Sequence, residues 1–187
     1  MNALPLTREP FPAPGLSPAQ ERMWFLDRLS PGDGANNMVV CERLTGPLDA
    51  GALERALSEI VARHEALRTV FPEREGFPVA RVLDPEPVVV EHLGPAGEPS
   101  PETLAELSNR PFDLATGPLL RVALIRVGPE EHILHLVVHH IAGDAWSIEQ
   151  ILFPELAALY SAFVSGRPAP PAPPRRSYAD HVREQRE

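Results

Sequence analysis

The stretch "LLRVALIRVGPEEHILHLVVHHI", Leu119 to Ile141, narrows the possible folds more than any other part of the chain. Two runs that are apolar on both faces flank Gly128-Pro129-Glu130-Glu131, so they read as a hairpin. Strands buried on both faces belong inside a sheet with helices packed against it. Helical signals are not lacking. Ser17 is placed to cap a helix, with Pro18 at its first position and Gln20 closing a capping box; that helix should run through "ERMWFLDRL" and stop at Pro31-Gly32. Asp49 should cap a second helix, "AGALERALSEIVARHEALRT", whose Leu53, Leu57, Ile60, Val61 and Leu67 form one stripe. Ser100-Pro101 should start a third, ending before Pro111. The run "AWSIEQILFPELAALYSAFVSG" should be a fourth, kinked or restarted at Pro154. "MVVCERLTG", "FPVARVLD" and "PVVVEHLG" read as strands. The predicted class is α/β (α+β), a sandwich in which a mixed sheet is covered by helices.

Composition limits the partners. The 187 residues suit one domain with a core of its own. Seventeen basic and 26 acidic residues leave a net charge of −9, which argues against nucleic-acid binding. The opening residues have no apolar core of signal-peptide length, and no segment is long enough to span a bilayer, so no membrane is expected. With Cys41 the single cysteine, no internal disulfide forms, which fits a cytoplasmic location. Proline is frequent, 23 residues, and two clusters of it mark the ends of the domain: an extended leader over residues 1–15, and "GRPAPPAPPRRS", Gly166 to Ser177, which gives a stiff connector over 167–176. The body of the fold lies between them, at 16–166.

Chemistry points to "VVHHIAGDAWS", Val137 to Ser147. Neighbouring side chains on a strand face opposite ways. His140 therefore shares a face with Leu134, Leu136 and Val138, while His139 faces the other way with Ile133, His135 and Val137. The two histidines cannot do the same job: one should face an open site and the other should pack inside. Metal binding fits poorly. His135 and His139, four apart, converge on an ion from a helix but not along a strand, and neither HExxH nor paired cysteines occur. From these residues alone, a structural pair and a catalytic base both remain open, histidine being suited to general base work near neutral pH.

"HHIAGDAWS" resembles the HHxxxDG signature of condensation domains from nonribosomal peptide synthetases. Three further stretches resemble motifs of that family in order: "LSPAQERMWFLDRL", "RHEALRTVF" and "RPFDLATGPLLRVAL"; "SYADHVREQRE" is similar to the start of a fourth. The resemblance implies a fold like chloramphenicol acetyltransferase, with two lobes around a tunnel. Donor and acceptor carrier proteins would dock at its mouths and insert phosphopantetheine arms, and an amide would form between donor thioester and acceptor amine. No cofactor of the domain's own is implied. The second lobe's motifs are absent, so the chain is expected to be the N-terminal lobe without its C-terminal lobe, 177–187 starting the helix that joins them. Such a lobe is expected to be inactive alone and prone to self-association through an apolar inter-lobe face.

Carried over by residue, the resemblance makes His140 catalytic and His139 structural. Asp144 is implied to pair with Arg68 and brace the loop, and Gly143, Ala145 and Trp146 become candidates for the tunnel wall. An aspartate at 144 also suits capping the next helix. Two positions depart from the pattern. Ala145 replaces a glycine, which matters only if the backbone there needs positive φ or close approach to substrate. Glu184 stands where an aromatic residue is usual. Two other functions fit the same residues: a coenzyme A-dependent acyltransferase using HxxxD, and a non-catalytic carrier-protein docking module.

Overall fold

The structure, a computed structural model, describes residues 15–94, 97–172 and 182. The leader up to residue 14, residues 177–187 expected to start an inter-lobe helix, with Glu184, and the end of the connector lie outside the described residues, Val182 apart.

Helix α1 (Pro18–Leu29) starts as its sequence dictates: the Ser17 hydroxyl accepts from the Gln20 amide, and the Gln20 side chain returns the bond to the Ser17 amide. Strand β1 (Asn37–Thr45) leads to α2 (Ala50–Arg63), capped by Asp49, whose carboxylate accepts from the Ala52 amide at 2.9 Å. Here the expected helix ends early. It was predicted to reach Thr69, but His64 takes an extended conformation (φ −107°, ψ 95°) and residues Glu65–Arg68 form a 3₁₀ turn. The reason is that Thr69–Val70 (β2) must turn away to pair with Arg81–Val82 (β5). Leu67 still reaches the main core from the 3₁₀ turn, so the apolar stripe continues although the α-helix does not.

The "FPVARVLD" strand resolves into two short pieces, β4 (Phe77–Pro78), paired with β3 (Glu73–Arg74), and β5. "PVVVEHLG" contributes only β6 (Val90–Leu93). Helix α3 (Pro101–Asn109), capped by Ser100, crosses to β7 (Leu120–Gly128), which pairs with β6 in parallel and with β8 (Glu131–His139) as the expected hairpin. The sheet runs β1-β8-β7-β6, antiparallel except at its last pair. After β8 come a short helix α4 (Ala145–Ser147), a π-helical turn (Ile148–Leu152) and α5 (Phe153–Val164). The helix restarts at Pro154 as expected: the π turn ends on a bond from the Phe153 amide to the Ile148 carbonyl, and the proline sits in the first turn of α5, where no N–H is needed.

Both faces of the hairpin are covered, as its sequence required. Leu120, Val122 and Leu124 of β7 and Leu134, Leu136 and Val138 of β8 pack on Leu57 and Ile60 of α2 and Leu159 of α5. On the other face Ala123, Ile125 and Ile133 meet Leu107 of α3. A polar clasp joins the two covering helices: Glu155 of α5 accepts from Arg63 at 2.8 Å and lies 2.7 Å from His64 Nε2. Burial opposes ionisation of Glu155, but the Arg63 and His64 bonds outweigh it and hold the carboxyl below its usual range. Arg63 also donates to the Pro170 carbonyl at 2.6 Å, which fixes the start of the proline-rich connector against α2.

Leu57 has no exposed surface and fills the space between α2 and the sheet. Leu57→Ala is expected to lower unfolding stability by about 3 kcal/mol, measured by urea denaturation with unchanged m-value.

Candidate functional site

The turn that follows β8 is held from below by a small separate core. Leu16, Phe71, Leu114, Leu119 and Ile141 are buried together, with Met23 and Trp24 of α1 packed against them. Trp24 Nε1 donates to the Phe71 carbonyl at 3.3 Å. The "SPAQERMW" and "RHEALRTVF" stretches, whose Trp24 and Phe71 lie 47 residues apart in sequence, thus converge beneath "HHIAGDAWS".

His139 is the peg of the turn. Its side chain is 2% exposed. Its amide donates to the Leu119 carbonyl at 3.1 Å, its carbonyl accepts from Ala142 at 2.9 Å, and its Nδ1 accepts from the Ile141 amide at 3.1 Å. Phe112 packs edge-on against the ring, centroids 5.9 Å apart at 83°. An imidazole that accepts at Nδ1 must be neutral and carry its proton on Nε2. Burial, assisted by the neighbouring His140, depresses its pKa from 6.5 to about 4, which keeps it neutral. His139 is therefore buried and neutral, and its bonds are to the turn around it.

His140 is the exposed member of the pair. Strand β8 ends at His139, and the His140 amide leaves the ladder to donate to the Asn36 carbonyl at 2.8 Å. The ring escapes the covered face of Leu134, Leu136 and Val138 because the chain turns there. The loop that offers the Asn36 carbonyl is itself pinned: Asn37 Nδ2 donates to the Ser108 and Arg110 carbonyls at 2.7 and 3.0 Å. Gly34, at φ +65°, lies so close to α3 that a Cβ there would fall 2.8 Å from the Asn109 oxygen. Neither Asn36 nor Gly34 carried a signal in the sequence, since each acts through the backbone.

Asp144 caps α4. Its carboxylate accepts from the Ser147 amide at 2.8 Å, and the Ser147 hydroxyl accepts from the Asp144 amide at 2.9 Å. These bonds, with a smaller contribution from nearby His140, hold its carboxyl below the usual range. The implied Arg68–Asp144 pair is not formed. Arg68 donates to the Leu83 carbonyl and lies 3.7 Å from Glu65, and among the described residues no ion pair joins it to Asp144. The physical reason is competition: the cap uses the Asp144 carboxylate, while the Leu83 carbonyl draws the guanidinium toward β5. Gly143 packs against the cap, where a Cβ would meet the Ser147 hydroxyl at 3.0 Å. Ala145 is the first residue of α4 and its φ is not positive, so alanine fits there without strain. Trp146 is 65% exposed.

Arg68 lies elsewhere, in the wall of a cleft of about 920 Å³ between β7 and the segment 83–89. His135, Arg110 and Arg121 also line that cleft, and none of residues 139–147 does. Its cations have partners within the fold: Arg110 forms a bidentate pair with Glu91, and Arg121 stacks 3.9 Å over Phe112 while donating to the Pro111 and Arg110 carbonyls. His135 is buried against Ser108 Oγ at 3.0 Å. Among the described residues no group of three or more His, Cys, Asp or Glu side chains is arranged to hold a metal ion, and no helix is long and apolar enough to cross a membrane.

The family profile described as "Condensation domain" matches residues 14–187. The chain is 43% identical over 177 residues to a probable non-canonical nonribosomal peptide synthetase, CymA, of Salinispora arenicola, covering 93% of this chain and 2% of that one. It is 41% identical over 174 residues to a dimodular nonribosomal peptide synthase of Bacillus subtilis, covering 92% and 7%. Among solved structures, the X-domain from teicoplanin biosynthesis superposes with a TM-score of 0.85 at 37% identity, over 99% of this chain and 40% of that chain. The first condensation domain of the calcium-dependent antibiotic synthetase, bound to a substrate analogue, gives 0.82 at 29% identity over 92% and 42%. The chain belongs to the condensation-domain family, and its fold is that of those domains. It spans only a small part of the synthetases it matches.

The buried neutral His139 makes the fold acid-sensitive. In the unfolded chain this ring takes up a proton below about pH 6.5, while in the folded state it does so only near pH 4. The contribution is complete above pH 6.5 and is lost as pH falls through 4, the full loss amounting to about 3 kcal/mol. His139→Asn, which keeps an acceptor for the Ile141 amide, is expected to flatten the fall of Tm between pH 6.5 and 4; an unchanged slope would contradict the assignment.

Proposed function

We propose that this chain forms one wall of an amide-forming site, at which an acceptor aminoacyl thioester attacks a donor acyl or aminoacyl thioester. Its partners would be donor and acceptor carrier proteins and a C-terminal lobe, and it would work in the cytoplasm. The observation that carries this reading is the separation within one HHxxxD turn: His139 buried, neutral and bonded through Nδ1 to the Ile141 amide, His140 exposed beside it.

The chemistry needs little from the protein beyond placement. A free α-amino group has a pKa of roughly 7.7–8.0, so much of it is already neutral near pH 7. As the amine nitrogen bonds to the donor carbonyl carbon, it becomes positively charged and must shed a proton. His140 takes that proton, the C–S bond breaks, and the donor pantetheine leaves as a thiol once protonated. The domain needs no cofactor of its own in this scheme; the phosphopantetheine arms are part of the substrates. Asp144 serves the site by fixing the turn through its cap.

The likeness to the X-domain supports a second reading. A structure of that domain in complex with OxyB, also from teicoplanin biosynthesis, superposes with a TM-score of 0.85 at 36% identity. On this reading the chain is a platform that docks a partner enzyme and forms no bond itself.

One assay separates the two. Aminoacyl-loaded donor and acceptor carriers are mixed with the chain and a C-terminal lobe supplied in trans, and amide product is followed by intact-mass spectrometry. The catalytic reading expects product, reduced about 100-fold or more by His140→Ala. Product formation at an undiminished rate in that variant would remove His140 from the chemistry. No product from the unsubstituted chain would favour the platform.

A further inference from the structure

The buried peg of the turn has one nitrogen unaccounted for. Nδ1 of His139 accepts from the Ile141 amide, so the proton resides on Nε2. That atom is shielded from solvent and has no hydrogen-bond partner among the described residues. A buried donor left in this state is costly. The carboxylate of Asp27 faces it from the last turns of α1, with Oδ1 3.9 Å from Nε2. The gap is too long for a hydrogen bond and short enough for a rotation of the carboxylate to close.

We propose that Asp27 is a positioning residue of the condensation site: its carboxylate holds the His139 proton on Nε2 and so keeps Nδ1 free to accept the Ile141 amide that shapes the turn presenting His140. The tautomer of a histidine is set by what its other nitrogen meets. Were the proton on Nδ1, it would point at the Ile141 N–H, two donors would oppose each other, and the turn would have to open. Asp27 also explains why an acidic side chain occupies a crowded place. Burial raises its carboxyl pKa, and the neighbouring Asp33 and Asp113 raise it further. A helix position that only needed solubility gains nothing from a third carboxylate there, whereas an acceptor for the buried N–H requires one oxygen at this position. Through α1 the same contact couples the "WFLDRL" segment to the histidine turn, alongside the Trp24–Phe71 bond.

The role in catalysis rests on the proposed amide-forming reading; the tautomer claim does not. The test uses the whole chain with ¹⁵N-labelled histidine, in which ring nitrogen shifts distinguish the two tautomers at neutral pH. The unsubstituted chain is expected to show His139 entirely as the Nε2–H form. Asp27→Asn retains an acceptor oxygen and is expected to leave that form intact. Asp27→Leu removes the acceptor and is expected to introduce the Nδ1–H form and to speed exchange of the Ile141 amide at least tenfold, with the Leu124 amide in β7 unchanged. Asp27→Ala gives the same readout should the leucine variant fail to fold. An Nδ1–H ring in the unsubstituted chain overturns the proposal, as does a pure Nε2–H ring with unchanged Ile141 exchange in the leucine or alanine variant. In the two-lobe carrier assay, Asp27→Leu should lower kcat at least tenfold with KM for the donor carrier little changed, and Asp27→Asn should restore it to within twofold. An assay silent for every protein, with the tautomer shift present, counts against the amide-forming reading and leaves the Asp27 contact standing.

Discussion

One buried hydrogen bond governs the geometry of the site: the Ile141 amide donating to Nδ1 of His139. It requires an uncharged imidazole, and the surroundings enforce that state by desolvation. The same residue spends its backbone N–H on Leu119 of the preceding segment and its carbonyl on Ala142, so the chain direction after β8 is fixed at three points. His140 follows without freedom of its own, its amide taken by Asn36. The exposed ring is thus placed by backbone bonds and by the packing of its neighbour, which is the kind of preorganisation a proton acceptor needs.

The elements legible in the sequence are those encoded by local chemistry. Ser17 with Gln20, Asp49 and Ser100 each cap the helix they precede, and Pro154 sits in the first turn of the helix it restarts. The two-sided apolar runs of the hairpin required cover on both faces, and both are covered. What was not legible depended on distant partners. The end of α2 at Arg63 is set by β5 taking Thr69 and Val70, while Leu67 continues the stripe from a 3₁₀ turn and conceals the break. The strand at 77–84 breaks because its two halves pair with different partners, Phe77–Pro78 with β3 and Arg81–Val82 with β2, and the one at 87–94 shortens to β6, leaving Val89 outside it and 87% exposed.

The site shows the same division. Alternation along β8 separated the two histidines, yet His140 is exposed because the strand stops before it. The face it would have joined is covered by α2 and α5. Asp144 was readable as a cap from its place before "AWS", and the cap is what it makes, at the expense of the implied pairing with Arg68. Ala145 is an ordinary first helical residue without positive φ, so it brings no backbone strain. Asn36, Gly34 and Asp27 had no sequence signature, since a carbonyl, a missing Cβ and a carboxylate one helix away leave no pattern near the histidines. The cleft along β7 could not be foreseen either, and it places Arg68 and His135 away from the turn.

The central claim is that two adjacent histidines occupy opposite environments, one sealed and neutral, one open to solvent. Acylation by diethyl pyrocarbonate at neutral pH, mapped by peptide mass spectrometry, tests it most directly. The folded chain should be modified at His140 at a rate comparable to exposed His92, with His139 untouched until the chain unfolds. Modification of His139 as fast as His140 in the folded chain would contradict the account.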